Sequence, residues 1–379
     1  MNFDLSEEQR IGIDSFRRFL VAEVKPTIDG FLSDVMPKAV VHGLFRKLSP
    51  FGLGSGWVPQ ESGGAGLDLI TSGLLYEELS RVSSGLAAQV CVNDSVSLLL
   101  HKIGTADQQA RYLPGLLSGE LIASIAVTEP GVGSQPGGIK TRAVRDGEHW
   151  RISGEKCWIS NCDVSDIAVV VCRTDDGPSM LLVERSDGYI SRNFGKLGQR
   201  EKSTGQLLFD DVRVPLANLV GQRGEALKIM ARLFERARCM VALYATGIAS
   251  AALDASIEYA RTREQWGKKI GGHQLVQSML AEMATEIDCS RLLAFRGLAM
   301  VEQGQRCEMQ ASMAKWYATE AAIRVTSNAI QIHGAYGLST EFPLERYFRD
   351  ARMMTIPDGT TQIQKLIIGR NLTGMAAFE

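Results

Sequence analysis

The sequence predicts an α+β multidomain protein, with a helical N-terminal domain, a middle antiparallel β-barrel or sandwich, and a C-terminal helical bundle. Three observations predict it. Hydrophobic periodicity is helical from Leu5 to about Glu120, short alternating runs replace it from Leu121 to Val220, and long helical runs return from Glu225. The domains are placed at residues 1–120, 121–222 and 223–379. A chain of 379 residues is too long for one ordinary core, which agrees with that division.

In the first zone Ile11, Ile13, Phe16, Phe19, Leu20 and Val24 form one apolar stripe, and Ser6 followed by Glu7 and Glu8 suits a helix start. Pro26 is expected to end this helix. The stretch FGLGSGWVPQESGGAGLD is a Gly-rich connector and no phosphate loop, because no Lys-Ser/Thr follows it. Helix resumes from Leu69 to Val82. In the middle zone LIASIAV, IAVVVCR, MLLVER and GQLLFDDVRVP read as strands, and Asp146-Gly147 between alternating runs reads as a hairpin turn. Strands without intervening helices indicate an antiparallel arrangement. In the last zone Glu225–Arg261, Gln274–Gln303 and Met309–His333 would each reach roughly 40 to 55 Å as unbroken helices, so they argue a bundle.

Composition excludes several function classes. Apolar residues at 45% and charged ones at 22% describe a globular chain, and 41 basic against 43 acidic side chains leave a net charge of −2. A nucleic-acid footprint is therefore not expected. No uninterrupted apolar stretch approaches a membrane span. The acidic start MNFDLSEEQR does not resemble a targeting peptide, and the protein is expected to be cytoplasmic. Seven cysteines without a CxxC pair read as buried free thiols, and five scattered histidines without HExxH give no metal site.

Four segments can carry chemistry. AVTEPGVGS (126–134) ends a strand with hydroxyls and flexible glycines, suited to a polar ring edge or a phosphate; an ordinary loop would look the same. KCWISN (156–161) offers Trp158 as a flat stacking surface or as a core residue. In RTREQWGKKIGGHQ (261–274), Arg263 and Trp266 would share a face if helical, either binding a phosphate and a ring or forming a solvated helix end. QIHGAYG (331–337) and IPDGTTQIQ (356–364) flank RYFRDAR, and Asp358 before a helix also fits a cap.

Taken jointly and in this order, TEPGVGS, WISN, TREQWG, QIHGAYG and DGTTQIQ resemble the FAD-dependent acyl-CoA dehydrogenase family over essentially the whole chain. The resemblance implies a C-terminal four-helix bundle, FAD, a homotetramer or homodimer, and α,β-dehydrogenation of an acyl thioester, carried by CoA or an acyl-carrier protein. It implies an electron-transfer flavoprotein or similar acceptor. Val127, Thr128 and Ser134 would line the flavin and its pyrophosphate, and Trp158 and Ser160 the isoalloxazine. Arg263, Trp266, Gln274, Gln331 and Gly334 would hold the FAD of a neighbouring subunit, and Thr360 and Gln362 follow the catalytic position. Ser134, Arg238 and Gly359 would border the substrate.

The resemblance makes Asp358 the expected α-proton base, where most of the family has Glu; one branch, the nitroalkane oxidases, also has Asp. The other family position for a base is Ala237, which cannot act as one. Gln135, Pro357 and Lys365 also depart from the usual residues. Asp94, on a helix that borders the family's substrate pocket, is the runner-up base, and Glu235 faces elsewhere on its helix. A short carboxylate needs a dry site to become an effective base while hydride leaves the β-carbon. The alternatives are an oxygen-using oxidase or monooxygenase of the same fold, and an inert FAD-binding partner protein.

Overall fold

The computed structural model describes residues 5–377. Its N-terminal helices are α1 (Glu7–Phe19), α2 (Lys25–Asp29), α3 (Lys38–Leu48), α4 (Leu69–Val82), α5 (Ser84–Ile103) and α6 (Ala106–Ser118). Ser6 caps α1 reciprocally with Gln9, satisfying two backbone donors at once. Pro26 does not end the first helical run. A π turn over Leu20–Val24 leads directly into α2, and Pro26 sits in the first turn of α2, where its missing N–H costs no bond.

The middle strands are β1 (Ala123–Ala126), β2 (Arg142–Asp146), β3 (His149–Ser160), β4 (Ile167–Thr174), β5 (Gly177–Glu184), β6 (Ile190–Asn193), β7 (Thr204–Pro215) and β8 (Leu219–Val220). They form one sheet in the order β6-β7-β3-β2-β4-β5-β8, with β1 beside β4. Asp146-Gly147 does make the β2–β3 turn, with Gly147 at φ 60°. The pairing is mostly antiparallel, but β1 runs parallel to β4 from Ala123↔Ile167 to Ala126↔Val170. The chain spends the β2–β3 hairpin between them, so β4 returns in the direction of β1; a parallel pair requires such a long connection. Strand β4 reads as one apolar run because both its faces are covered. Val169 and Val171 pack toward the N-terminal helices with Leu99 and Leu116, while Val170 and Cys172 pack with Ile152 and Phe209.

Beyond the sheet lie α7 (Ala226–Thr262), a two-stranded hairpin of β9 (Glu264–Gln265) and β10 (Lys268–Lys269), α8 (Gln274–Glu302), α9 (Glu308–His333), α10 (Leu344–Met354) and α11 (Thr361–Thr373). Helices α7 to α9 pack side by side, and α10 and α11 dock on α9. One hydrophobic core joins Phe16 and Leu79 to Met240, Leu243 and Ala318, so both helical domains share it. At the α4–α7 crossing a Cβ on Gly247 would lie 2.4 Å from the Glu77 carbonyl, and the absence of one lets the two backbones touch. Contrary to expectation, one window of α7 is apolar enough to cross a bilayer, with a mean hydropathy of 1.4. The fold buries 72% of that window, which identifies it as the bundle's core helix.

Candidate active site

Asp358 stands in the turn between α10 and α11 with left-handed backbone, φ 55°, followed by Gly359 at φ 97°. Aspartate tolerates this region better than most side chains. The helix cap expected of Asp358 belongs instead to Thr360, whose hydroxyl accepts the Ile363 N–H. The turn is gripped through its main chain. Arg238 of α7 donates from Nε to the Asp358 carbonyl at 3.2 Å, and Gln364 donates to the same oxygen at 3.0 Å and to the Gly359 carbonyl at 2.8 Å. From α9, buried Lys315 donates to the Thr355 and Gly359 carbonyls, each at 2.9 Å.

The Asp358 carboxyl itself takes no hydrogen bond from the described residues. Burial raises its pKa above the ordinary value of 3.8, against the pull of Lys315, Arg238 and Lys202. The cations feel the same dryness: burial pushes Lys315 and Lys202 down to about 8. Sequence reading passed over both lysines. Lys315 left a signal, since it falls on the buried α9 stripe of Ala311, Ala318 and Ala322, where a cation must have partners. Lys202 lies in an irregular polar loop and left none.

Asp94, on α5, is fully buried. Its Oδ2 accepts from the Tyr76 hydroxyl and, at 3.0 Å, from the Gly54 N–H, whereas its Oδ1 has no partner. Burial raises this carboxyl to about 6, with the Tyr76 and Gly54 bonds opposing the shift. Cys91 and Tyr244 feel the charge of both Asp94 and Asp358, so the two carboxylates address one interior region. Glu235 does not join them; it binds Arg306 and the Cys307 N–H. Ala237 is half-buried beside Arg238.

The structure sorts the remaining predicted residues into two groups. Val127 and Thr128 at the end of β1 meet the end of β3, where the Cys157 N–H donates to the Thr128 carbonyl at 2.9 Å. A bulge in β3 puts Trp158 at φ 60° with 60% of its surface exposed, so it is no core residue. Its only ring neighbour among the described residues is Phe194, edge-on at 5.1 Å. Half-buried Ser160 lies two residues further on, and Ser134 is exposed in the adjoining loop. A Cβ on Gly131 or Gly133 would meet nothing within 4 Å, leaving that loop's backbone open to approach. An uncovered indole beside an open hydroxyl-bearing loop fits a planar, phosphate-bearing cofactor.

The second group sits at the opposite end of the bundle. The segment of Arg263 and Trp266 is not helical but forms the β9–β10 hairpin, because Trp266 and Gly267 both take positive φ, 55° and 74°, the conformation of a tight two-residue turn. Arg263 and Gln274 are exposed there, and Trp266 is 93% exposed. Gln331 and Gly334 lie exposed at the end of α9, next to His333, which stacks on Tyr259 of α7 at 4.3 Å. Arg263 follows Arg238 by 25 positions, about 37 Å along the helix axis. Gln362 is exposed on the first turn of α11. A cavity of about 700 Å³ lined by Ser49, Ser62, Gln109 and Leu117 holds none of these residues.

Comparison with known proteins matches three family models to the chain in sequence. They are the acyl-CoA dehydrogenase N-terminal domain over residues 6–120, the middle domain over 124–212 and the C-terminal domain over 225–373. This chain belongs to the acyl-CoA dehydrogenase family. It is 36% identical to a probable acyl-CoA dehydrogenase of Bacillus subtilis, over 98% of this chain and all of that one. It is 34% identical to cyclohexane-1-carbonyl-CoA dehydrogenase of Geobacter metallireducens, over 99% of this chain and all of that one. The crystal structure of a glutaryl-CoA dehydrogenase from Mycobacterium smegmatis in complex with FADH2 superposes with a TM-score of 0.92 at 30% identity, covering 99% and 97% of the two chains. As an acyl-CoA dehydrogenase, the protein is an FAD-dependent oxidoreductase that dehydrogenates the CH–CH bond of an acyl thioester.

Proposed function

We propose that Asp358 removes the α proton of the bound acyl thioester, and the observation that carries this reading is its unpartnered carboxyl in a turn clamped by Arg238, Lys315 and Gln364. FAD, when bound, supplies the acceptor for the hydride equivalent that leaves the β-carbon. Everything else is work for the chain's own side chains. Burial makes the carboxylate a stronger base than a solvated one, while the charges of Lys315 and Arg238 pull against that rise. Because Arg238 and Lys315 bind carbonyls, they fix where the base stands without neutralising it directly. The open face of Trp158, with Val127, Thr128, Ser134 and Ser160, suits one wall of the flavin site.

A second reading of the base rests on Asp94, whose unpartnered Oδ1 and pKa of about 6 make it competent. It becomes the better assignment if the substrate is a ring-bearing acyl thioester of the kind named for the Geobacter relative.

The thioester is carried by CoA or an acyl-carrier protein, and the electrons pass to an electron-transfer flavoprotein in the cytoplasm. Anaerobic mixing of the yellow protein with panels of both thioester types tests this. Bleaching of the flavin band is expected with at least one of them. A protein bleached by none, or one that turns over only with rapid oxygen consumption, contradicts the dehydrogenase reading.

The roughly 37 Å between Arg238 and Arg263 supports an assembly in which Arg263, Trp266, Gln274, Gln331 and Gly334 complete the FAD site of a second subunit, in a homodimer or homotetramer. The double substitution Arg263→Ala, Trp266→Ala should lower both bound flavin and assembly size in gel filtration with absorbance detection. Full retention of both would sink the shared site.

A further inference from the structure

Lys202 has no task in the mechanism above. It lies just before β7, its residue 5% exposed, and its main chain is pinned on both sides. Its N–H donates to the Gln199 carbonyl at 3.1 Å, and its own carbonyl accepts from Lys196 Nζ at 2.6 Å. The side chain is thereby delivered to Ser160, whose Oγ accepts from Lys202 Nζ at a long 3.3 Å. An ammonium has three donors, and the other two meet no acceptor among the described residues. The neighbouring carboxylates are engaged elsewhere: Glu201 accepts from the Ser83 hydroxyl at 2.7 Å, and Asp350 accepts the Gln199 N–H. Asp358 lies within coulombic reach without forming an ion pair.

A buried cation with unused donors is costly to the fold. Burial first, then Lys196, depress its pKa to about 8, while Glu201, Asp358 and Asp350 oppose the shift. The interior around the base therefore holds Lys202, Lys315 and Arg238 near the unpaired Asp358 carboxylate. Lys315 donates two of its three N–H groups, and Arg238 its Nε–H, to backbone carbonyls of the Asp358 turn. Lys202 binds no carbonyl of that turn and keeps two donors free, between the flavin-side residue Ser160 and the base.

We infer that Lys202 is a specificity-determining residue that recognises an oxygen acceptor carried by the acyl group close to its reacting carbons. The preferred thioester then bears a carboxylate or hydroxyl oxygen, and a plain hydrocarbon acyl chain leaves the ammonium buried and unpaired. This rests on the acyl thioester dehydrogenase reading and narrows its substrate class.

The test compares matched CoA thioesters on the holoenzyme: 4-hydroxybutyryl against pentanoyl, and glutaryl against 5-methylhexanoyl. One oxygen-bearing member should exceed its hydrocarbon partner in kcat/KM by about 10- to 100-fold, the discrimination available to a hydrogen bond from a charged group. In Lys202→Met the preference should invert, the oxygen-bearing thioester losing that factor and the hydrocarbon one gaining. The α,β-unsaturated products, titrated by calorimetry without turnover, should show the same inversion in affinity. Wild-type preference for both hydrocarbon members overturns the inference, and this comparison needs no variant to fold. An equal loss on every thioester in Lys202→Met and Lys202→Gln, with or without a changed flavin spectrum, also overturns it, because Lys202 would then act on the base or the flavin. Failure of all four thioesters to reduce the flavin would instead contradict the dehydrogenase reading itself.

Discussion

Asp358→Asn should leave FAD bound and slow its anaerobic reduction by at least about 10²-fold, the loss typical of removing a general base. The amide keeps the shape and tolerates the left-handed backbone at φ 55°, so the turn should survive. Burial raises the carboxyl's pKa, so wild-type activity should fall as pH drops through a value above 3.8, and the variant should lose that acidic limb. The stability sign is opposite to that of a paired carboxylate. Between 3.8 and the raised folded value the native state binds more protons than the unfolded one, so stability rises as pH falls through that window. Asp358→Asn should therefore raise the melting temperature at neutral pH while reducing turnover. Asp358→Glu extends the base but strains the left-handed position; faster reduction by linear acyl thioesters would show that reach limits the enzyme. Asp94→Asn is the control. If it halts reduction while Asp358→Asn remains fast, Asp94 takes the proton.

Lys156→Met should destabilise the protein by about 3–5 kcal/mol, because it leaves Glu129 charged, buried and unpaired. The pair is fully enclosed at 2.8 Å, and Lys156 also donates to the Val127 carbonyl at 2.9 Å. Glu129 in turn accepts the N–H groups of Lys140 and Thr141 at 2.7 and 2.9 Å, tying the 127–134 loop to the start of β2. Adding Glu129→Leu should recover much of the loss. A urea-unfolding double-mutant cycle measures this, and additive single effects would show that the two charges do not support each other. The same variant should weaken FAD binding, since the displaced loop carries Val127 and Thr128.

How much of this was legible in the sequence follows from what each residue answers to. The layer order was legible because burial imposes a period of 3.6 or 2 on the residues themselves, as in the α1 stripe of Ile13, Phe16 and Leu20. The parallel β1–β4 pair was not, because pairing direction depends on where a connection of about 40 residues delivers the chain. The Trp266 turn was not legible, since Trp-Gly is an unusual two-residue turn and only tertiary context holds a tryptophan at positive φ. Asp358 was found through its motif and Arg238 was expected near the substrate, but the convergence of Arg238, Lys315 and Lys202 on the Asp358 turn from α7, α9 and the loop before β7 was out of reach. Sequence separation carries no record of that convergence. Lys315 could have been found from its place on an alanine stripe; Lys202 could not.

The clamp on the Asp358 turn has an evolutionary consequence. Arg238, Lys315 and Gln364 hold carbonyl oxygens, which every residue type possesses, and none of them binds the carboxyl. The peptide is a socket whose position does not depend on which side chain it carries. A lineage can therefore exchange the acid in that socket, or move the duty to another buried carboxylate such as Asp94, while the turn keeps its shape. Chemistry at this position can drift between substrates faster than the scaffold around it.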